Sequence, residues 1–501
     1  METVVYKLIN KKPMKKQIYR IATLFLVLIT ISSCSGGDDS SNNDTPDPNP
    51  VLPTVTIAQI TNITSENATS GGQITNDGGA TILEKGVCWS TSPNPDITNN
   101  KTNEGSGSSD FVSEITNLNS NTEYYVRAYA TNSVGTSYSE QSVFNTTACV
   151  YEGNVIINTQ EGINAFGENN YCEINGNLII GYTDNGSTDY VIDLSPLSSI
   201  KKVKYLSINS SQELETLSGL NIETVSGIII NNNNVLSNID ALLSINSDIE
   251  FLSVSLNSEL TNINGLSNIT TLKEIDQNSV RIEISLNYKL TNIDGLSNIS
   301  TFEIVDYGGI EIVDNNVLAN INGLNNIPSD FKGNIIIDRN QLLNNIEGLS
   351  NITNIRGDLS IVALGDDLVL DGLESLTTID GKLTIAYTKA ENLNGLNNLV
   401  SVGEEINISS NHSLINIDGL NNLDSANQII FKNNNTITNI DGFANINSIT
   451  NDLELTQNNA LSDFCGLNEV IFANGIGGNY IVEFNAYNPT QQDILDGNCS
   501  L

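Results

Sequence analysis

The feature that most constrains this chain is a repeat of about 24 residues that runs from residue 150 nearly to its end. It is plainest in Leu-Thr-Asn-Ile-Asn-Gly-Leu266, Leu-Thr-Asn-Ile-Asp-Gly-Leu296 and Ile-Thr-Asn-Ile-Asp-Gly-Phe443. With the glycine as landmark, copies fall at 219, 265, 295, 323, 348, 372, 395, 419, 442 and 466, and Pro196 and Ala241 fill the slot in two weaker ones. Successive spacings lie between 22 and 25, apart from 30 and 28 at the copies ending in Gly295 and Gly323. A fixed period of this length means stacked coils, with the surplus residues looped out.

Each position of the repeat has a physical reading. Two residues before the landmark every copy is apolar, and one residue after it every copy is Leu or Phe. Four after it, all are Ile, Leu or Val except Glu223. Pairs such as Leu206/Ile208, Ile282/Ile284, Ile335/Ile337 and Leu453/Leu455 stand thirteen and eleven before it. A spacing of two puts both side chains on one face of a strand, so one strand per coil is expected, stacked in parallel over an aliphatic column. Eight before the landmark stand Asn233, Asn257, Asn287, Asn315, Asn340, Asn411, Asn434 and Asn458. Asparagine tolerates a left-handed turn, and its amide can serve neighbouring coils, so a buried structural ladder is expected. Leu364 and Tyr387 occupy that slot in two coils, which predicts irregular stacking there.

This array resembles the receptor L domain, the leucine-rich β-helix of insulin and epidermal-growth-factor receptors, over residues 149–499. Val155 to Phe166 with Ile174 to Ile180 look like its N-terminal cap, and Leu461 to Leu467 with Asn485 to Thr490 like its C-terminal one. Generic leucine-rich repeats fit the period and consensus less well. The resemblance implies protein or peptide recognition. No ligand-binding residue carries over, because the exposed positions follow no motif.

The segment ahead of the array, residues 54–148, reads as short strands between Gly, Asn, Ser and Pro turns. Gly86-Val-Cys-Trp-Ser90, Leu118 to Tyr124, and Tyr125 to Asn132 resemble a fibronectin type III domain in the form found on Bacteroidetes surface proteins. That resemblance makes Tyr124 the tyrosine that bonds back across the sheet corner. Trp89 and Cys88 are expected in the core. The fold class is therefore mostly β: a fibronectin type III-like β-sandwich followed by a parallel β-solenoid of about twelve coils.

Before the sandwich, a basic stretch from Met14 to Arg20 precedes the apolar run Ile21–Ile31, which closes on Ile31-Ser-Ser-Cys34. The run is shorter than the roughly 20 residues a spanning helix needs. The order is that of an export signal, and residues 1–33 resemble a bacterial lipoprotein signal peptide. Cys34 then becomes the lipidated residue and either Met1 or Met14 the start. Residues 34–53 are acidic, with Gly, Ser, Asn and Pro, and read as a flexible tether. An acidic stretch in that place resembles the surface-export signal of Bacteroidetes lipoproteins, which implies the outer membrane, facing outward.

Composition narrows the function. The chain has 21 basic and 58 acidic residues, a net charge of −37, and six of the basic ones lie in the first 20 positions. So negative a surface repels phosphate backbones, which excludes nucleic acid as a partner. The lone His412 sits in an Asn-His-Ser turn, which leaves little for nucleophilic catalysis. Glu283, Glu311 and Glu454 fall on outward strand positions and read as solvated. Arg356-Gly-Asp358 spells an adhesive tripeptide but enters an expected strand. The Asp-Gly and Asn-Gly pairs lack the calcium-coil consensus and read as turn formers.

No metal, cofactor or enzyme activity is expected. Cys149 with Cys172, and Cys465 with Cys499, flank the two ends of the array. A disulfide at each suits an oxidising compartment. The reading is a lipid-anchored surface protein that binds a protein or glycan. A glycan-capture lipoprotein of an uptake system and an envelope scaffold are the alternatives. Outward strand positions such as Ser207, Ser253, Ser255, Asn407, Ser409 and Thr456 are small and polar, against glycan capture. A row of aromatics could come only from the inserted loops, with Phe302 and Tyr307.

Overall fold

The structure, a computed structural model, describes residues 49–181, 189–273, 281–303, 308–365 and 368–501. Cys34, Tyr307 and most of the two inserted loops lie outside them.

The first unit is two antiparallel sheets. One holds β1 (Thr54–Ile57), β2 (Ala68–Asn76) and β5 (Phe111–Ile115) in the order β1-β2-β5. The other holds β3 (Glu84–Ser90), β4 (Asn100–Lys101), β6 (Glu123–Thr131), β7 (Thr136–Tyr138) and β8 (Ser142–Asn145), with β6 pairing β3, β7 and β8. Val55, Ile74, Phe111 and Ile115 of the first sheet share one core with Val87, Trp89, Val126 and Ala128 of the second. The Tyr124 hydroxyl accepts the Asn119 N–H at 2.9 Å and pins the turn before β6. Buried Lys85 donates to the Gly107 and Ser109 carbonyls at 3.0 and 2.6 Å, so its charge is met by oxygen. The unit begins earlier than its strand pattern suggests. The Val51 N–H bonds to the Gly78 carbonyl, the Val51 carbonyl accepts from Asn132, and Pro53 is buried, so residues 51–53 belong to this unit and not to a tether.

The second unit is a solenoid with one unbroken aliphatic core, from Val155 to Ile494. Its main ladder of parallel strands runs through Leu178–Ile180, Tyr205–Asn209, Gly227–Asn231, Phe251–Ser255, Arg281–Ser285 and onward to Tyr480–Glu483. Register is strict: Leu206, Ile228, Leu252, Ile282 and Ile310 stand in one column, and Ile208, Ile230, Val254, Ile284 and Ile312 in the next. Each coil was expected to hold one strand, yet most hold a second, short one. Its ladder includes Glu173–Asn175, Thr271–Lys273, Thr301–Glu303, Asp330–Phe331, Asn354–Ile355 and Thr378–Ile379. Ser401–Ser409 and Ser425–Lys432 run through both strand positions and join Asp330–Phe331, Asn354–Ile355 and Thr378–Ile379 to the main ladder in one sheet of 18 strands, while Glu173–Asn175 and the Thr271–Lys273/Thr301–Glu303 pair stand in sheets of their own. The inserted loops leave both enlarged coils at the same corner, after Thr271–Lys273 and after Thr301–Glu303.

Two departures from the repeat resolve as local shifts. The coil of 22 residues between Gly219 and Ala241 buries Ile222 instead of Glu223. The coil ending at Gly395 is one residue shorter between strand and glycine, so Leu383 and Ile385 fill its core.

Phe302 is buried against Phe331, with ring centroids 5.1 Å apart, so it supplies no exposed aromatic row.

At the N-terminal end α1 (Gln160–Gly167) starts on Thr159, whose hydroxyl accepts the Gly162 N–H. The C-terminal end carries α2 (Asn468–Phe472) and α3 (Gln491–Leu495), the latter opened by a capping box of Thr490 and Asp493.

Candidate functional site

All eight ladder asparagines are completely buried. Asn287 shows the pattern. Its Oδ1 accepts both the N–H and the side-chain amide of Asn257 at 3.1 Å, while its own amide donates to the Val254 carbonyl at 2.8 Å and to Asn315 Oδ1 at 3.2 Å. The chain of bonds continues from Asn315 to Asn340, and a second run links Asn411, Asn434 and Asn458. Only a side chain with an acceptor and a donor on one carbon can bridge three coils in this way.

The left-handed residue is not the asparagine but the one before it. Leu256, Leu286, Asp314, Arg339, Ser410, Asn433 and Gln457 have φ between 51° and 61°. Two members carry little sequence signal. Asn485, which closes the ladder, accepts the Asn458 N–H at 3.0 Å, and Thr388 takes the slot assigned to Tyr387 and donates its N–H and hydroxyl to Asn411. Tyr387 projects into solvent.

The landmark corner is a short 3₁₀ turn in most coils, as at Asn264–Leu266 and Asp418–Leu420. Its glycine is required by contact and not by a special dihedral. A Cβ on Gly265, Gly295 or Gly442 would run into the carbonyl oxygen of Ile239, Ile263 or Ile417 in the coil beneath. The asparagine three residues before accepts an N–H of the turn, as Asn262 does from Asn264 at 3.1 Å. The asparagine three residues after makes a second, exposed ladder. Asn268, Asn298, Asn326, Asn398 and Asn445 each donate at 2.6 Å to a carbonyl of the preceding coil. The recurrent Leu-Ser-Asn and Leu-Asn-Asn triplets were its sequence signal.

A disulfide closes each end of the core: Cys149–Cys172, with Cα atoms 5.2 Å apart, and Cys465–Cys499, with Cα atoms 4.9 Å apart. Cys88 is free and buried in the sandwich, where desolvation pushes its thiol up to about 11. Protein lacking residues 1–34, incubated natively with iodoacetamide at pH 8, is expected to gain no label by intact mass, and one label per chain after unfolding without reductant.

The side chains with chemical potential do not converge. His412 is exposed and faces only the Asn435 amide, at 3.5 Å. Glu283 and Glu311 are cross-strand neighbours on the outward face, while Glu454 lies several coils away. The tripeptide at Arg356 is used internally: Arg356 pairs with Asp330 at 2.8 Å and Asp380 at 3.2 Å, and Asp358 accepts the Lys382 N–H. Among the described residues no three His, Cys, Asp or Glu side chains are grouped to hold a metal ion, and no helix is long and apolar enough to cross a membrane. The depressions on the 3₁₀ edge are shallow. One lies among Asn422, Asp424, Asn445 and Glu469, and another among Asn326, Glu347, Asn351 and Asp371.

Along that edge partial burial and the neighbouring Asp463 and Asp418 raise the Asp441 carboxyl. An acid raised in the fold is favoured there while protonated, so its contribution falls as pH climbs above the ordinary value of 3.8. Asp441→Asn is therefore expected to raise the melting temperature at pH 7 and to leave it unchanged at pH 3. A rise of equal size at both pH values would contradict that cause.

No protein-family model matches the chain, and no curated protein does. Among solved structures, one titled as a myokine structure is 17% identical, with 20% of this chain and 99% of that one covered and a TM-score of 0.16. A crystal structure of titin domains is 20% identical, with 20% of this chain and 32% of that one covered and a TM-score of 0.15.

Proposed function

We propose that this chain is a non-catalytic, lipid-anchored protein of the outer membrane that recognises a protein or glycan along its solenoid. On this reading residues 51–148 are a fibronectin type III-like spacer and residues 149–501 a receptor L-domain-like module. The sheet order β1-β2-β5 with β4-β3-β6-β7 and the Tyr124 corner support the first. The coil ladder with closed ends supports the second.

The observation that carries the reading is the pairing of a lipobox at Ile31–Cys34 with disulfides at both solenoid ends. Such bridges persist where the surroundings oxidise thiols. A lipidated cysteine with more than one acyl chain anchors firmly. The open, shallow surface suits a large partner more than a small molecule, which wants a concave pocket. Glycan capture stays second, because the outward strand column from Ser207 to Asn407 mixes small polar groups with Ile229, Glu283, Glu311 and Ile336 and carries no ring.

Cys34→Ser tests the anchor. The wild-type protein is expected in the membrane fraction with incorporated palmitate, and the variant in the soluble fraction without it. A variant that stays in the membrane fraction contradicts the anchor.

A further inference from the structure

The main sheet ends on a strand paired on one side only. Tyr480–Glu483 stands last in the order of 18 and pairs with Leu453–Thr456. The Leu453 N–H bonds to the Asn479 carbonyl and the Gln457 N–H to the Glu483 carbonyl, which sets the phase of the strand. Alternation then turns the N–H and carbonyl of both Tyr480 and Val482 to the open side, where no group among the described residues meets them. Edge strands are commonly blunted by a lysine, a proline or a bulge, and this one has none of the three.

What the edge lacks is one strand and not another coil. The asparagine ladder is already closed there, because Asn488 Oδ1 accepts the Asn485 N–H at 3.0 Å and the Asn485 amide at 3.1 Å. Apolar surface lies beside the open edge. Tyr480, Val482 and Tyr487 pack on the aliphatic column yet are only half-buried, as is Ile481 on the outward face. Phe484, at the corner straight after the strand, is 70% exposed.

Charge selects the partner. Residues 433–501 hold eight acidic side chains and no lysine or arginine. Glu454 has Lys432 at 3.8 Å, whereas Glu483 on the edge strand is exposed and meets no base among the described residues. A second copy of this chain is a poor fit, because its other end strand, Val155–Ile157, lies between the exposed acids Glu152 and Glu161.

We propose that Tyr480–Glu483 is a docking edge for one extended, basic segment of a partner protein, which adds a strand to the sheet. Main-chain bonds to Tyr480 and Val482 supply affinity, a lysine or arginine opposite Glu483 and an apolar residue opposite Ile481 supply choice. This rests on the solenoid being a recognition module and gives that module a place and a partner chemistry.

The probe is the peptide acetyl-Lys-Val-Val-Val-Lys-amide, titrated into the full-length protein in detergent, with hydrogen exchange and mass spectrometry to locate it. It is expected to bind and to slow exchange over residues 479–485. The counterpart with Glu in place of Lys, and the Lys peptide N-methylated throughout, are expected not to bind, the second because it keeps the charge but cannot form the strand. Glu483→Lys, an exposed change that should leave the melting temperature as it is, is expected to weaken the Lys peptide about tenfold and to admit the Glu one. No binding at about 1 mM, equal binding of the N-methylated peptide, protection at Val155–Ile157 instead, or indifference to Glu483→Lys would overturn the proposal. None of these outcomes touches the lipid anchor, which stands or falls on the fractionation of Cys34→Ser.

Discussion

Asn287→Leu is expected to destabilise the solenoid by about 4 kcal/mol, far more than any change to an exposed coil residue. The side chain is fully buried and stands between two others of its kind. Its removal strands the Asn257 N–H and takes the side-chain donor from the Val254 and Ser285 carbonyls, while the Asn257 amide keeps only its bonds to the Ile230 and Ser255 carbonyls. A buried polar group left unpaired costs about 1 to 3 kcal/mol, and the leucine recovers part through its own burial. Asn287→Asp offers the acceptor oxygens but buries a charge and loses the donor, so it should be no better. Asn298→Ala removes one solvent-exposed bond and is expected to cost about 1 kcal/mol or less. Urea unfolding followed by far-ultraviolet circular dichroism ranks the three. A loss at Asn287 no larger than that at Asn298 would mean that the buried ladder does not hold the coils.

The second large effect lies at the ends. Cys465 and Cys499 close a loop with a sequence separation of 34 residues, and Cys149 and Cys172 one of 23. The loop-entropy account gives roughly 3 to 4 kcal/mol for each. The C-terminal bridge holds Cys499, whose carbonyl accepts the Phe464 N–H, against the last landmark turn; Tyr487 packs edge-on to Phe464, with ring centroids 6.2 Å apart. Without it α3 and the final strand lose their tie, and the aliphatic column opens to water. Replacing Cys465 and Cys499 together by serine is expected to raise proteolysis and hydrogen exchange over residues 453–499 first, with Asn257 to Asn340 still protected. Uniform loosening along the solenoid would show that the bridge acts on the whole array and not on its end.

The coil, its strand column and the slots for asparagine were legible because each is a repeated chemical demand with a fixed spacing. The second strand ladder was not. Its column runs Val203, Val225, Ile249, Leu272, Phe302, Phe331, Ile355, Ile379 and Val402, close to seven residues after each landmark. Single-residue slips and one weak member, Ala426, blur that column in the sequence. Thr388 was hidden by a one-residue deletion that moves the slot past Tyr387. The left-handed corner was hidden because its occupants, from Leu256 to Arg339 to Gln457, share no chemistry; stacking alone imposes their dihedral. Glycine at the landmark was legible as a turn, but the reason was not, since the clash it avoids is with a carbonyl one coil away. Ligand recognition leaves the faintest trace of all, because outward residues are free to differ from coil to coil.

The central claim, a recognition solenoid held outside the cell by a lipid, is tested most directly by protease shaving of intact cells with mass spectrometry of what is released. Peptides from residues 150–499 should appear in the supernatant while the segment bearing Cys34 stays with the cells. Solenoid peptides that appear only after lysis would place the protein inside the envelope and contradict the account.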